Sequence, residues 1–110
     1  SGDEIEIRSR VTVNATGAFA DGIRRMGDPR VAPLIAASQG AHLVFDGSFL
    51  QSETAILVPH TPDGRVLFAI PWHGHTLVGT TDTPIGEPEL EARALEQEIE
   101  FILETAGGYL

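Results

Sequence analysis

The pattern of apolar and polar positions between residues 55 and 82 predicts a small antiparallel sheet. Three short apolar segments occur here, at residues 56–58, 66–70 and 76–78. They are separated by two clusters of turn residues, Pro62-Asp63-Gly64 and His73-Gly74-His75. Proline fixes φ and glycine accepts positive φ, so both clusters favour tight turns. The pattern therefore predicts a three-stranded antiparallel meander.

The middle segment is apolar on both faces of the predicted sheet. Val66, Phe68 and Ile70 alternate with Leu67 and Ala69, so neither face carries polar side chains. A strand of this kind needs apolar cover on both sides. A further apolar segment, HLVFD at residues 42–46, is a candidate fourth strand.

The first 27 residues predict extended structure followed by a short helix. Ile5, Ile7, Val11 and Val13 occupy odd positions, an alternation typical of strands that continue to Asn14. After a turn of small residues at 14–17, the spacing of three apolar residues predicts an amphipathic helix: Phe19, Ile23 and Met26. Gly27-Asp28-Pro29 is expected to end this helix.

From about Glu89 the chain has a helical pattern. An apolar stripe repeats at helical spacing: Leu95, Ile99, Ile102 and Ala106. The acidic residues of this segment are interpreted as a solvated face and not as a site: Glu96, Glu98, Glu100 and Glu104. Gly107-Gly108 is expected to weaken or end the helix.

Composition excludes several classes of function. The chain of 110 residues has 16 acidic and 7 basic side chains and a formal charge of −9. Binding to a nucleic-acid backbone, or to a membrane through a polybasic patch, requires the opposite sign of charge. Cysteine is absent, so neither a disulfide framework nor a thiolate metal site is expected. The length suits one domain.

Histidines are the first candidates for chemistry. His42 begins a predicted strand directly after Gly40-Ala41, and imidazole groups exchange protons near neutral pH. Local chemistry alone nevertheless favours a hydrogen-bonded structural histidine. His73 and His75 have a spacing that allows two metal ligands, but a site needs at least one more. A solvent-facing turn is the favoured interpretation of this pair, and no metal site is predicted.

Two clusters of small polar residues are ambiguous. The turn Asn14-Ala15-Thr16-Gly17 can present backbone N–H groups to a phosphate or cofactor. The alternative, which the tetrapeptide alone favours, is an ordinary strand-to-helix turn in which Thr16 caps the helix. The residues at 80–84 either form a turn that satisfies its own backbone, the favoured interpretation, or lie at the rim of a site.

Four motifs in succession resemble the FAD-dependent glycerol-3-phosphate dehydrogenases. They are VTVNATG, SQGAHLVFD, ILVPHTPDGRVLFAIPWHGHTLVGTTD and EIEFILETAGGYL, and they extend over nearly the whole chain. The most specific part is FAIPWHGHTLVGTTD. The resemblance implies an α+β fold with a mixed, largely antiparallel sheet, whose core is a meander of three to four strands flanked by two helices. It would form part of the substrate domain of a glutathione-reductase-like FAD oxidoreductase.

The resemblance also implies an activity and a set of site residues. The intact enzyme would oxidise glycerol 3-phosphate to dihydroxyacetone phosphate, with hydride transfer to FAD and electron transfer to quinone. Residues 1–17 would form the last strand or strands of the FAD-binding domain, with Ala15, Thr16 and Gly17 close to the cofactor. Residues 18–110 would form a partial substrate-binding domain. His42 matches the active-site histidine of a Ser-Lys-Gly-x-His pattern, in which Gln39 replaces the lysine.

Further expectations concern the chain as a fragment. It is expected to be inactive alone and to bind no FAD, to associate as a homodimer through exposed apolar surface, and to bind no nucleic acid. The intact protein is expected to be cytoplasmic and peripherally bound to the inner face of the cell membrane. Two alternatives remain: a related FAD-dependent oxidase or dehydrogenase with another substrate, which Gln39 keeps open, or a non-catalytic module that binds a small ligand or a protein.

Overall fold

The structure is a computed structural model, and it describes residues 2, 4–61 and 64–110. Pro62 and Asp63, which belong to the first predicted turn, lie outside the described residues. By its internal contacts the chain divides into two compact units, residues 1–36 and 37–110. The predicted division into residues 1–17 of a cofactor domain and 18–110 of a substrate domain stays a prediction. Two compact units within this chain do not indicate to which domain of the intact protein each belongs.

The first unit contains one α-helix, α1, at Ala20–Gly27. This confirms the predicted amphipathic helix. The buried carboxylate of Asp21 accepts hydrogen bonds from the backbone N–H groups of Leu34 (2.8 Å) and Ile35 (3.0 Å). It also forms an ion pair with Arg24 at 2.6 Å. These bonds hold the segment after the helix against α1, and they lower the pKa of Asp21.

The strands predicted near the beginning of the chain are not formed. Residues 4–16 contain neither helix nor strand. A strand needs a neighbouring strand for its backbone hydrogen bonds, and no other described segment pairs with this one. The alternating apolar side chains are accordingly 77–82% exposed: Ile5, Ile7, Val11 and Val13.

The described residues of the second unit form two antiparallel sheets. The larger has the strand order β2-β5-β4-β3 and the smaller pairs β1 with β6. The strands are β1 (Ser38–Gln39), β2 (His42–Asp46), β3 (Ile56–Val58), β4 (Leu67–Trp72), β5 (His75–Gly79) and β6 (Thr83–Pro84). The predicted meander and its fourth strand are thus confirmed. The turn between β4 and β5 has positive φ at His73 (47°) and Gly74 (77°), as a two-residue hairpin turn requires.

One face of the larger sheet packs against a second helix, α2, at Glu96–Tyr109. The buried core of this layer comes from the sheet, from the residue before β2 and from α2: Ala41, Val58, Leu67, Ala69, Val78, Ile102 and Ala106. The helix begins later than predicted, because the backbone of Leu95 is still extended and the carbonyl of Arg93 binds the Gln39 side chain. Gly107 and Gly108 lie inside the helix and do not end it.

The other face of the sheet, here called the open face, has no covering element among the described residues of the second unit. Its apolar side chains are exposed, among them Val44 (65%), Leu57 (53%), Phe68 (40%) and Trp72 (60%). The prediction that β4 is apolar on both faces is therefore confirmed, with α2 covering one of them. In the described part of the chain, neither helix combines the length and apolar character that crossing a membrane requires.

Candidate functional site

His42 begins β2 and lies on the open face of the sheet. The strand register places it opposite Gly79 of β5, which is itself opposite Phe68 of β4. Phe68 is in turn opposite Leu57 of β3. Directly opposed residues of antiparallel strands share a face, so this row carries one exposed imidazole beside exposed apolar side chains. The row can contact a ligand that has both a polar and an apolar part.

Gly79 makes room for the imidazole ring. A Cβ built on Gly79 would lie 2.6 Å from His42 Cδ2 and 2.8 Å from the backbone carbonyl oxygen of Ala41. Both separations are shorter than a van der Waals contact. The ring of His42 therefore lies close against the backbone of Gly79, and the second contact means that moving the ring alone cannot admit a side chain there.

A Gly79→Ala substitution is expected to displace His42 and to weaken the pairing of β2 with β5. Overpacking of this kind destabilises proteins by about 1–3 kcal/mol, and urea unfolding of the chain measures it. Gly107→Ala is the matched control, because a Cβ there meets nothing within 4 Å. In a helix it is expected to be neutral or to stabilise by up to about 1 kcal/mol. Equal effects of the two substitutions would disprove the proposed crowding at Gly79.

Glu98 is the centre of a hydrogen-bond network beside this site. Its side chain lies on the first turn of α2 and is only 2% exposed. One carboxylate oxygen accepts hydrogen bonds from the hydroxyls of Thr81 (2.9 Å) and Thr83 (2.7 Å). The other accepts from Gln39 Nε2 and from the Leu95 N–H, both at 2.8 Å. All four hydrogen-bond partners are donors, so this environment favours the ionised carboxylate over the protonated form.

The interpretation of Glu98 as part of a solvated acidic face is thus wrong. The sequence contains the signal that corrects it. Glu98 lies four residues before Ile102 and eight before Ala106, and these three residues are all buried on one side of α2. Of the predicted stripe, Ile102 and Ala106 are buried, whereas Leu95 is 40% exposed and precedes the helix.

The network lowers the pKa of the Glu98 carboxyl. Burial alone would raise the pKa of the Glu98 carboxyl, but the four donated hydrogen bonds outweigh burial and lower it from 4.5 to about 2. The ionised form therefore stabilises the fold above pH 4.5. This contribution is lost as the pH falls through the folded-state value of about 2.

The stability of the chain is therefore expected to decline between pH 4.5 and about 2 more steeply than that of a Glu98→Gln variant. The variant has no carboxyl at this position, so subtracting its urea-unfolding free energies from those of the wild type isolates the contribution of this one group. A difference that stays constant over this pH range would show that Glu98 titrates alike in the folded and unfolded chains.

Gln39 faces Glu98 and not the open face of the sheet. Its amide nitrogen donates to Glu98 Oε2 and to the carbonyl oxygen of Arg93 (3.1 Å). A lysine in this position would form an ion pair with the same carboxylate, whereas glutamine supplies neutral donors. The departure from the Ser-Lys-Gly-x-His pattern thus changes the charge of this network and leaves a donor in place.

A cleft of about 220 Å³ lies between the two segments that the network joins. It is lined by residues 39–42 and 92–94, so His42 and Arg93 both border it. An imidazole that borders a cleft can exchange a proton with a ligand bound there.

The hydroxyl cluster at 80–84 forms the expected local turn only in part. Thr80 Oγ1 donates to the neighbouring carbonyl of Thr81 (2.9 Å), which is the expected local turn. Thr81 and Thr83 instead bind the distant Glu98. They therefore connect the end of β5 to α2 and do not only satisfy their own backbone.

The candidate cofactor turn at Asn14–Gly17 lies in the first unit. Asn14 Oδ1 accepts from the Thr16 hydroxyl (2.8 Å) and N–H (3.3 Å), while Asn14 Nδ2 donates to the Ala20 carbonyl (2.9 Å). Thr16 therefore does not cap the helix with its side chain, and that prediction is wrong. Ala15, Thr16 and Gly17 are all exposed.

This turn fits a group that approaches the backbone closely. Gly17 has a φ of 58°, which glycine adopts without strain, and a Cβ there would meet nothing within 4 Å. The side chain of Asn14 bridges the turn from Thr16 to the Ala20 carbonyl. The roles of Ala15, Thr16 and Gly17 in binding a cofactor, and of His42 in catalysis, stay predictions.

His73 and His75 contact each other within the hairpin turn. His75 Nδ1 lies 3.1 Å from the carbonyl oxygen of His73, within the hairpin turn. Among the residues that the structure describes, no group of three or more histidine and acidic side chains is arranged to hold a metal ion.

Comparison with known proteins identifies the family. The profile of the family described as DAO, FAD dependent oxidoreductase, matches residues 1–110. The chain belongs to the family of FAD-dependent oxidoreductases. The cofactor expected for the intact protein is thereby confirmed.

Curated relatives in this family are glycerol-3-phosphate dehydrogenases. The chain is 44% identical over 111 residues to a protein named probable glycerol-3-phosphate dehydrogenase, mitochondrial, from Caenorhabditis elegans. It is 38% identical over 110 residues to the mitochondrial glycerol-3-phosphate dehydrogenase of Homo sapiens. Both matches cover 100% of this chain but only 15% of the relative. The resemblance inferred from the motifs is confirmed, and the chain spans about 15% of these relatives' length.

A solved structure supports the same family and fold. The glycerol-3-phosphate dehydrogenase of Bacillus halodurans, complexed with FAD, matches with a TM-score of 0.72 and 31% sequence identity. The match covers 82% of this chain and 18% of that one. The predicted combination of antiparallel sheet and two helices is confirmed.

Proposed function

We propose that the intact protein oxidises glycerol 3-phosphate to dihydroxyacetone phosphate with FAD as its cofactor. The observation that carries this proposal is the match of the entire chain to glycerol-3-phosphate dehydrogenases of distant organisms. The similarity to a dehydrogenase complexed with FAD supports it independently. The substrate domain is proposed to be part of a glutathione-reductase-like FAD oxidoreductase, with residues 18–110 in that domain and residues 1–17 in the FAD-binding domain.

His42 is proposed as the catalytic residue of this chain. Oxidation of the C2 alcohol removes a hydride from carbon and a proton from oxygen. FAD, when bound, supplies the hydride acceptor. The imidazole of His42 accepts the hydroxyl proton, which its exposed position on the open face supports. The apolar row beside it, Leu57 and Phe68, excludes water from the reacting carbon.

The remaining parts of the site are proposed from exposure and charge. Ala15, Thr16 and Gly17 contact FAD through the exposed turn that Asn14 fixes. Arg93, at the cleft that His42 borders, provides positive charge for an anionic substrate.

The proposal extends to the partners of the intact enzyme. Electrons pass from the reduced flavin to quinone, and the protein lies against the inner face of the cell membrane without this chain crossing it. The exposed apolar side chains of residues 5–13 and of the open face favour a homodimer of the isolated chain. The isolated chain binds no FAD and has no activity, because the residues proposed to contact the cofactor are few.

Anaerobic mixing of the intact FAD-loaded protein with glycerol 3-phosphate tests the proposed activity. We expect the flavin absorbance to bleach, while glycerol, lactate and glycine at equal concentration leave it unchanged. Bleaching by one of these other compounds and not by glycerol 3-phosphate would establish a related oxidoreductase with another substrate. The absence of bleaching by any of them would overturn the proposal.

A further inference from the structure

The strand pairing changes register directly before His42. Gln39 of β1 is opposite Thr83 of β6, and His42 of β2 is opposite Gly79 of β5. Two residues, 40 and 41, lie between these pairs on one side, and three residues, 80–82, lie between them on the other. The extra residue has the character of a β-bulge, a feature that re-aims neighbouring side chains and interrupts the backbone ladder.

Where the backbone ladder is interrupted, the hydroxyl of Thr81 supplies a hydrogen-bond partner for the backbone. It accepts a hydrogen bond from the backbone N–H of Ala41 (2.8 Å) and donates to Glu98 Oε1 (2.9 Å). Thr81 is 4% exposed and Ala41 is 7% exposed, so water cannot readily replace either bond. The ionised carboxylate polarises the hydroxyl that receives the Ala41 N–H, which strengthens the chain of two bonds.

The backbone at this point also has little freedom to move. A Cβ on Gly40 would lie 2.7 Å from the Thr81 carbonyl oxygen and 2.8 Å from Thr80 Oγ1. A Cβ on Gly79 would meet the His42 ring, as described above. The segment from Gly40 to His42 is therefore held against residues 79–81 by close packing on both sides and by one buried hydrogen bond between them.

We propose that Glu98 and Thr81 are positioning residues, which fix the backbone at Ala41 and thereby orient the imidazole of His42. The catalytic role of His42 in this proposal rests on the proposed function. The positioning of the Ala41 backbone rests only on the observed hydrogen bonds. Neither residue touches the open face. Removing the Thr81 hydroxyl leaves the Ala41 N–H buried without its acceptor, which shifts the segment that carries His42.

Two threonines allow a matched test, because each donates one hydrogen bond to Glu98 Oε1 and only Thr81 also accepts from Ala41. In the intact FAD-loaded protein, the limiting rate of flavin reduction by glycerol 3-phosphate is measured per bound flavin. We expect Thr81→Val to lower this rate about tenfold, since misplacement by about 1 Å can cost up to about 100-fold. Thr83→Val and the conservative Thr81→Ser are expected to stay within about twofold of wild type.

A second measurement makes the proposal independent of the substrate. In protein labelled with ¹³C-histidine, the ring resonance of His42 is assigned by its loss in a His42→Gln variant. We expect Thr81→Val to shift this resonance, and Thr83→Val and Thr81→Ser to leave it in place. If wild-type protein fails to react with glycerol 3-phosphate, the proposed function fails while the resonance still tests the positioning. An unshifted resonance, or equal rates for the two valine variants in an active enzyme, would overturn the proposal.

Discussion

Replacing His42 with alanine in the intact FAD-loaded protein is expected to lower the limiting rate of flavin reduction by glycerol 3-phosphate about 100-fold. The reason is the loss of the group proposed to accept the hydroxyl proton, since general bases contribute about 100-fold to 10,000-fold to rates. Stopped-flow absorbance of the flavin measures this rate directly. Substrate binding is expected to change less, because His42 is one contact among several proposed for the substrate.

The choice of substitution separates proton transfer from hydrogen bonding. His42→Gln keeps a polar side chain that can donate and accept hydrogen bonds but cannot take up a proton. It is expected to be as slow as His42→Ala. His60→Ala is the matched control, because His60 is exposed on a loop after β3 and contributes only its backbone carbonyl to a described hydrogen bond, which it accepts from Tyr109. A His42→Gln variant within about fivefold of wild type would limit His42 to hydrogen bonding.

Replacing Glu98 with glutamine is expected to reduce the free energy of unfolding of the chain by about 2–3 kcal/mol, because hydrogen bonds to a charged group are stronger than neutral ones. All four neighbours donate to the carboxylate, so an amide NH₂ group would face donors on one side. The volume of the side chain is nearly unchanged, which keeps the core packing intact. Urea unfolding followed by circular dichroism measures the difference.

Glu100→Gln is the matched control for this prediction. Glu100 lies on the same helix, carries the same charge and is exposed. Its replacement is expected to change the free energy of unfolding by less than about 0.5 kcal/mol. If both substitutions had the same effect, the net charge of α2 and not the buried network would determine stability.

The sheet could be predicted from the sequence because the patterns that specify its strands and turns involve residues close together in the chain. Alternation over residues 66–70 and the turn residues at 73–74 specify a hairpin without reference to distant parts of the chain. The apolar character of both faces of β4 was also visible, although the sequence could not show which face α2 would cover. Residues 4–13 show the limit of this approach, since alternation specifies a strand only where a partner strand exists.

The site could be predicted only in part, because its network joins residues that are far apart in the sequence. The resemblance to the family pattern selects His42, since local chemistry alone favours a structural histidine. The charge pattern of α2 places Glu98 on a solvated face, whereas in the structure it bonds to Gln39 and Thr81. Acidic residues are rarely buried, so composition argues against this position. Only the spacing of Glu98 from the buried residues of α2 pointed to the interior. The late start of α2 has the same origin, since the carbonyl of Arg93 binds the side chain of the distant Gln39.

The most direct test of the central proposal is a crystal structure of the intact protein with FAD and bound glycerol 3-phosphate or dihydroxyacetone phosphate. We predict that the open face of the sheet borders the substrate, with a ring nitrogen of His42 within about 3.2 Å of the oxygen on C2. We also predict that the Asn14–Gly17 turn contacts the FAD. An open face covered by other protein elements, with His42 distant from both ligands, would contradict the proposed site.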